Sequence, residues 1–206
     1  MEAISSLKSI QLDALRETAN IGAGHAATAL SQMTGSTIMI DVPAINVLRL
    51  EAIPAQFGAP EEPVAAVMMH MLGDLSGRTL LVFPRPTVMR LAELMLRRPL
   101  GSSVALGELE QSAIKEAGNI LSGAYLNALA DFLGMMLLPS PPSLVVDMAA
   151  AVLTSAFAQF AGDPDHILCV ETEFTLLDRA QTMRGFFLLL PDPASLQVML
   201  RALRLA

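Results

Sequence analysis

The chain contains no tryptophan, one tyrosine and one cysteine, and only two of its 206 residues are lysine. A lone cysteine, Cys169, excludes an internal disulfide and fits a reducing compartment, so a cytoplasmic location is expected. Cations are scarce: 13 Lys+Arg stand against 20 Asp+Glu, a formal charge of −7. Without a positive surplus to neutralise a phosphate backbone, general nucleic-acid binding is excluded. A long apolar run is also missing, although 53% of residues are hydrophobic and the mean hydropathy is +0.52. The longest stretch free of Asp, Glu, Lys and Arg, Thr18–Ile40, is broken by Asn20, His25 and Gln32, so no membrane insertion is expected. The first residues, Met-Glu-Ala-Ile-Ser-Ser-Leu-Lys, have neither the basic nor the apolar region of a signal peptide. Three scattered histidines match no zinc spacing, and there is no Walker loop or nucleophile elbow; no metal site is expected.

What is present is a repeat. At roughly 150 residues per domain, the length suggests about 1.4 domains. Residues 13–31 (DALRETANIGAGHAATALS) and 112–130 (SAIKEAGNILSGAYLNALA) share seven of nineteen positions at an offset of 99. The later parts match too, with Gly77–Pro84 resembling Gly185–Pro191, each followed by x-Pro and a helical pattern. The chain therefore divides into two pseudo-symmetric halves, about 1–100 and 101–206, forming one domain with the boundary near Arg97–Ser103. Periodicity predicts helices over 8–33, 87–97, 107–134, 149–161 and 194–204. It predicts strands over 37–50, 63–73, 77–83, 143–147, 166–177 and 183–190, with a loop over 51–62 and a hairpin at Gly73–Gly77. Strands grouped between helices argue α+β, an antiparallel sheet with two long helices.

Those two helices carry the same polar stripe. Asp13, Glu17, Asn20 and Gly24 are spaced i, i+4, i+7, i+11, which places them within about 60° of one another over roughly 16 Å. Ser112, Glu116, Asn119 and Gly123 repeat the stripe. A solvated face is the ordinary reading of such residues. Against it, asparagine is a poor mid-helix residue because its amide competes for backbone hydrogen bonds, yet it occurs twice. The neighbours are also small (Ala19, Gly22, Ala23; Ala117, Gly118, Ser122), which reads as a surface shaved for close approach by another protein, and Gly24 and Gly123 on the stripe itself are assigned to the same close approach. Asn20-Ile-Gly-Ala-Gly24 is no phosphate loop, since it lies within the helical pattern and follows no strand. Cys169 in Ile-Leu-Cys-Val reads as core, and Arg97-Arg98 as a helix C-terminus favoured by the dipole.

At this stripe the sequence resembles the CheC/CheX/FliY family of chemotaxis response-regulator phosphatases. The family pattern is Asp or Ser, three residues, Glu, two residues, Asn, twenty-two residues, Pro. Asp13, Glu17, Asn20 and Pro43 meet it, and Ser112, Glu116, Asn119 and Pro142 meet it again. Two intact copies resemble the CheC-type members, and the resemblance covers essentially the whole chain; His25 stands where members often carry Asn. It implies a pseudo-two-fold duplicated fold and hydrolysis of the phosphoaspartate on a CheY-type receiver domain. It also implies that Asn20 and Asn119 orient the attacking water through the amide oxygen or NH₂. Glu17 and Glu116 would pair with a receiver lysine, Asp13 and Ser112 assist docking or capping, and Pro43 and Pro142 hold the chain beside the helix. No cofactor of the chain's own is implied, with Mg²⁺ on the receiver. The alternative is an adaptor with little catalysis that binds the phosphorylated receiver or the receptor deamidase CheD.

Overall fold

The computed structural model describes residues 7–49, 52, 53, 56, 61–158, 166–177 and 181–205. The chain runs α1 (Ser9–Thr34), β1 (Ile38–Arg49), β2 (Pro63–Gly73), β3 (Gly77–Pro84) and α2 (Arg85–Met95). The second half runs α3 (Glu108–Leu133), β4 (Leu137–Pro139), β5 (Ser143–Met148), α4 (Ala149–Ala158), β6 (His166–Leu176), β7 (Gln181–Pro191) and α5 (Pro193–Leu205). Both long helices stop where a glycine takes the left-handed conformation, Gly35 (φ 73°) and Gly134 (φ 66°), a backbone state that other residues adopt only under strain. Most of the expected loop at 51–62 and the end of the expected helix at 149–161 lie outside the described residues.

The seven strands of the described residues join one antiparallel sheet in the order β1-β6-β7-β3-β2-β4, with β5 also pairing β2. The order interleaves the halves. β1 of the first half pairs with β6 of the second, whereas β4 and β5 of the second pair with β2 of the first. The central pair is β3–β7, whose register from Gly77↔Pro191 to Val82↔Phe186 places a pseudo-two-fold axis at its middle. Each half thus completes its sheet with a strand of the other. Periodicity does not register this exchange, because it reports which residues face a core and not which strand lies alongside. It also misses β4, three residues long.

Both faces of the sheet are covered. Ala65, Val67, Leu81, Phe83, Phe187 and Leu189 pack beneath α1, α2, α3 and α5. Their strand neighbours Val64, Ala66, Leu80, Val82, Phe186 and Leu188 point the other way and are covered by Val152, Leu153 and Ala156 of α4. Among the described residues α4 has no counterpart in the first half, and it acts as the second layer. A sheet buried on both sides needs continuous apolar strands rather than alternating ones, and Phe186–Leu190 is buried throughout. This accounts for the high hydropathy. Cys169 belongs to the second layer, where burial first and the Glu171 charge next push its thiol up to about 12.

The half boundary is tied down by its arginines. Arg97 (φ 54°) donates from Nε to Met33 O (3.0 Å) and from its guanidinium to Gln32 O. It therefore caps the C-terminal carbonyls of α1, not those of its own helix as the sequence suggests. Arg98 pairs with Glu110 in the first turn of α3, and Glu93 accepts N–H bonds from Gly101 (2.8 Å) and Ser103 (2.7 Å). Donation from a backbone amide first, with Arg98 also contributing, holds the Glu110 carboxyl below its ordinary value. No helix among the described residues is long and apolar enough to cross a membrane.

Candidate functional site

α1 and α3 lie side by side over the sheet, and their packing explains the small residues. Ala19, Gly22, Ala23, Ala117, Gly118 and Ser122 are all buried. A Cβ on Gly22 would stand 2.9 Å from Ala124 O, and one on Gly118 would stand 2.6 Å from Val67. These six residues serve helix–helix and helix–sheet contact, so their reading as a shaved outer surface is wrong. Sequence spacing gave them the right helix and the wrong face. Gly24 and Gly123 differ, because a Cβ at either would meet nothing within 4 Å.

Two glycines two positions apart should then respond oppositely. Gly22→Ala forces the helices apart and is expected to cost roughly 1–3 kcal/mol of overpacking. Gly24→Ala replaces a poor helix former on an open face and is expected to add about 1 kcal/mol. Urea unfolding of the two variants measures both, and destabilisation by Gly24→Ala contradicts the open face.

The polar stripe faces outward. Asp13, Glu17 and Gly24 are exposed on α1, with Asn20 half-buried among them; on α3, Ser112 and Glu116 are exposed and Asn119 is half-buried. Asp13 lies 3.9 Å from Arg16 in an exposed pair, which contributes little in water. Neither Asp13 nor Ser112 caps its helix, since the N-cap positions are Lys8 and Gly107.

The prolines sit in bulges. Between Asp41↔Glu173 and Ala44↔Glu171, two residues of β1, Val42 and Pro43, oppose one residue of β6. Between Pro139↔Met71 and Ser143↔Met68, three residues, Ser140–Pro142, oppose two. Each edge strand therefore carries one extra residue at the matching place, which bends the strand locally. In the first half, the Val42 amide released by the bulge donates to Asn20 Oδ1 at 3.1 Å. Val42 escaped the sequence reading, although the fixed distance from asparagine to proline was its signal.

The second stripe also borders a groove. Ser112, Lys115, Glu116 and Pro142 line an open cavity of about 440 Å³ together with Met33, Met95 and Leu96. The last three come from the first half, so the second stripe is flanked by residues of both. Among the described residues no three His, Cys, Asp or Glu side chains converge as a metal cluster.

A family model described as CheC-like matches residues 10–47 and 109–146, two segments that each run from a motif helix past its bulge proline. The CheY-P phosphatase CheC of Bacillus subtilis is 33% identical over 205 residues, covering 98% of both chains. This chain belongs to the CheC-like family. The flagellar motor switch phosphatase FliY of Bacillus subtilis is 27% identical over 84% of this chain and 44% of its own length. The crystal structure of Thermotoga maritima FliY matches with a TM-score of 0.80 over 97% of this chain and 98% of that one. At 23% identity, that match speaks for the CheC-like fold, a duplicated antiparallel sheet with two motif helices.

Proposed function

We propose that this CheC-like chain is a phosphatase that hydrolyses the aspartyl phosphate of a CheY-type receiver domain, with one site on α1 and a second on α3. The observation that carries this reading is the near-full-length likeness to a CheY-P phosphatase, joined to two intact and outward-facing Glu–Asn pairs.

The chemistry suits so spare a site. An acyl phosphate leaves as a carboxylate and needs no general acid. What hydrolysis lacks is a water held in line with the phosphorus and a field that steadies the phosphoryl oxygens. The receiver supplies the field through Mg²⁺ and a lysine, and the chain brings no cofactor of its own. Asn20 or Asn119, projecting from an exposed helix face, enters the receiver's site and orients the water through its amide. An amide does not titrate near neutrality, so it positions the water without taking its proton. Glu17 and Glu116, one turn earlier, pair with the receiver lysine and set the register of docking. Gly24 and Gly123, one turn later, leave room for the receiver backbone to come close.

The test is phosphate release from a receiver phosphorylated by a small acyl-phosphate donor. Substoichiometric chain is expected to accelerate release over the receiver's own rate, and equal rates with and without the chain overturn the proposal.

A further inference from the structure

The two bulges share an irregularity and differ in one chemical group. At the offset of 99 that relates the halves, Asn20 corresponds to Asn119, Pro43 to Pro142, and Val42 to Pro141. Val42 has a backbone N–H, and it donates to Asn20 Oδ1 at 3.1 Å. Proline has none, so residue 141 has nothing to donate. The second bulge is fastened another way, with the His70 amide donating to Ser140 Oγ (2.9 Å) and the Ser140 amide donating to His70 O (2.9 Å). No hydrogen bond to the Asn119 side chain occurs among the described residues.

A backbone amide only donates, so the group it meets on Asn20 is the oxygen and the side-chain NH₂ is turned away from the strand. We propose that Val42 is a positioning residue for Asn20, fixing one flip state of its amide with the NH₂ outward, whereas Pro141 leaves Asn119 unheld, so that the two sites turn over unequally. The inference rests on the proposed role of the two asparagines. Asn20 then meets the receiver as a preset donor, aimed at a phosphoryl oxygen or at the attacking water. Asn119 must settle its rotamer and its flip state within the complex. Ordering one such side chain corresponds to about a two- to tenfold difference in kcat, with KM unaffected.

The test isolates each site in the full chain. In an Asn20→Ala background only the second site works, and Pro141→Val restores the missing donor there. It is expected to raise kcat about two- to tenfold at constant KM. In an Asn119→Ala background, Val42→Pro is expected to lower kcat by a similar factor, with thermal unfolding run alongside because Val42 is also a core residue. Side-chain ¹⁵N relaxation gives a reading independent of activity: the Asn20 NH₂ is expected to be rigid and the Asn119 NH₂ mobile, becoming rigid in Pro141→Val. Unchanged kcat and an unchanged, mobile Asn119 in Pro141→Val overturn the inference. Wild-type activity in Asn20→Ala/Asn119→Ala overturns the role of the asparagines instead, so the two failures are distinguishable.

Discussion

Replacing Asn20 and Asn119 together by Ala should reduce receiver dephosphorylation to the receiver's own rate while leaving the fold intact. Both side chains are half-buried on an outward stripe, and among the described residues the one hydrogen bond to either is donated by the Val42 amide to Asn20 Oδ1. Their removal opens no core cavity, but Asn20→Ala takes the acceptor from the Val42 amide, so a stability cost of about 1–3 kcal/mol is expected, offset in part by the better helix propensity of alanine. The loss of rate should be far larger. A water no longer held in line costs about a hundredfold or more, because the chemistry has no general acid or base to fall back on. The same argument makes the chain's contribution to the rate flat with pH around neutrality. An essential ionisation near pH 7 that moves with substitutions in this chain speaks for a titrating base and against the amide. Replacing Glu17 and Glu116 instead should raise KM more than it lowers kcat, since those carboxylates dock and do not touch the water.

The second large effect concerns the interleaved sheet. Residues 1–100 and 101–206, made as separate chains, should each fail to give a folded monomer. The first piece carries β1 without β6 and exposes both the free edge of β2 and that of β3. The second carries β4 and β5 without β2. Unpaired edge groups, a Val64–Ala66–Leu80–Val82 face stripped of α4 and an Ala65–Val67–Leu81–Phe83 face stripped of α3 and α5 leave too little buried apolar surface to offset chain entropy in about 100 residues. Each piece should therefore lack a cooperative unfolding transition as a monomer, or associate with itself to fill the gap. Mixing the two pieces should restore the transition and the phosphatase activity together. A folded monomeric half contradicts the interleaving.

How much of this was legible beforehand differs from element to element. Helix and strand positions follow from periodicity because each element buries a face, and 8–33 and 107–134 agree with α1 and α3 within a residue or two. The outward stripe follows from helical geometry alone, so Asp13, Glu17 and Asn20 could be placed on one face without a structure. The small residues could not. Ala19, Gly22, Ala117 and Gly118 look the same whether shaved for a partner or for a neighbouring helix, and only the 2.9 Å and 2.6 Å approaches decide the question. The strand exchange was hidden for a related reason: a duplicated sequence is equally consistent with halves that fold side by side. Val42 was hidden because its contribution is a backbone amide, which every residue but proline has. Its meaning emerges only beside Pro141.

The claim at the centre is that two asparagines, one on each helix, serve two working sites. It is tested most directly by single-turnover phosphate release from one phosphorylated receiver with the wild-type chain, Asn20→Ala, Asn119→Ala and the double variant. The expected result is that each single variant keeps part of the acceleration, that the two parts add to the wild-type value, and that the double variant has none. Full acceleration surviving in the double variant would contradict the account.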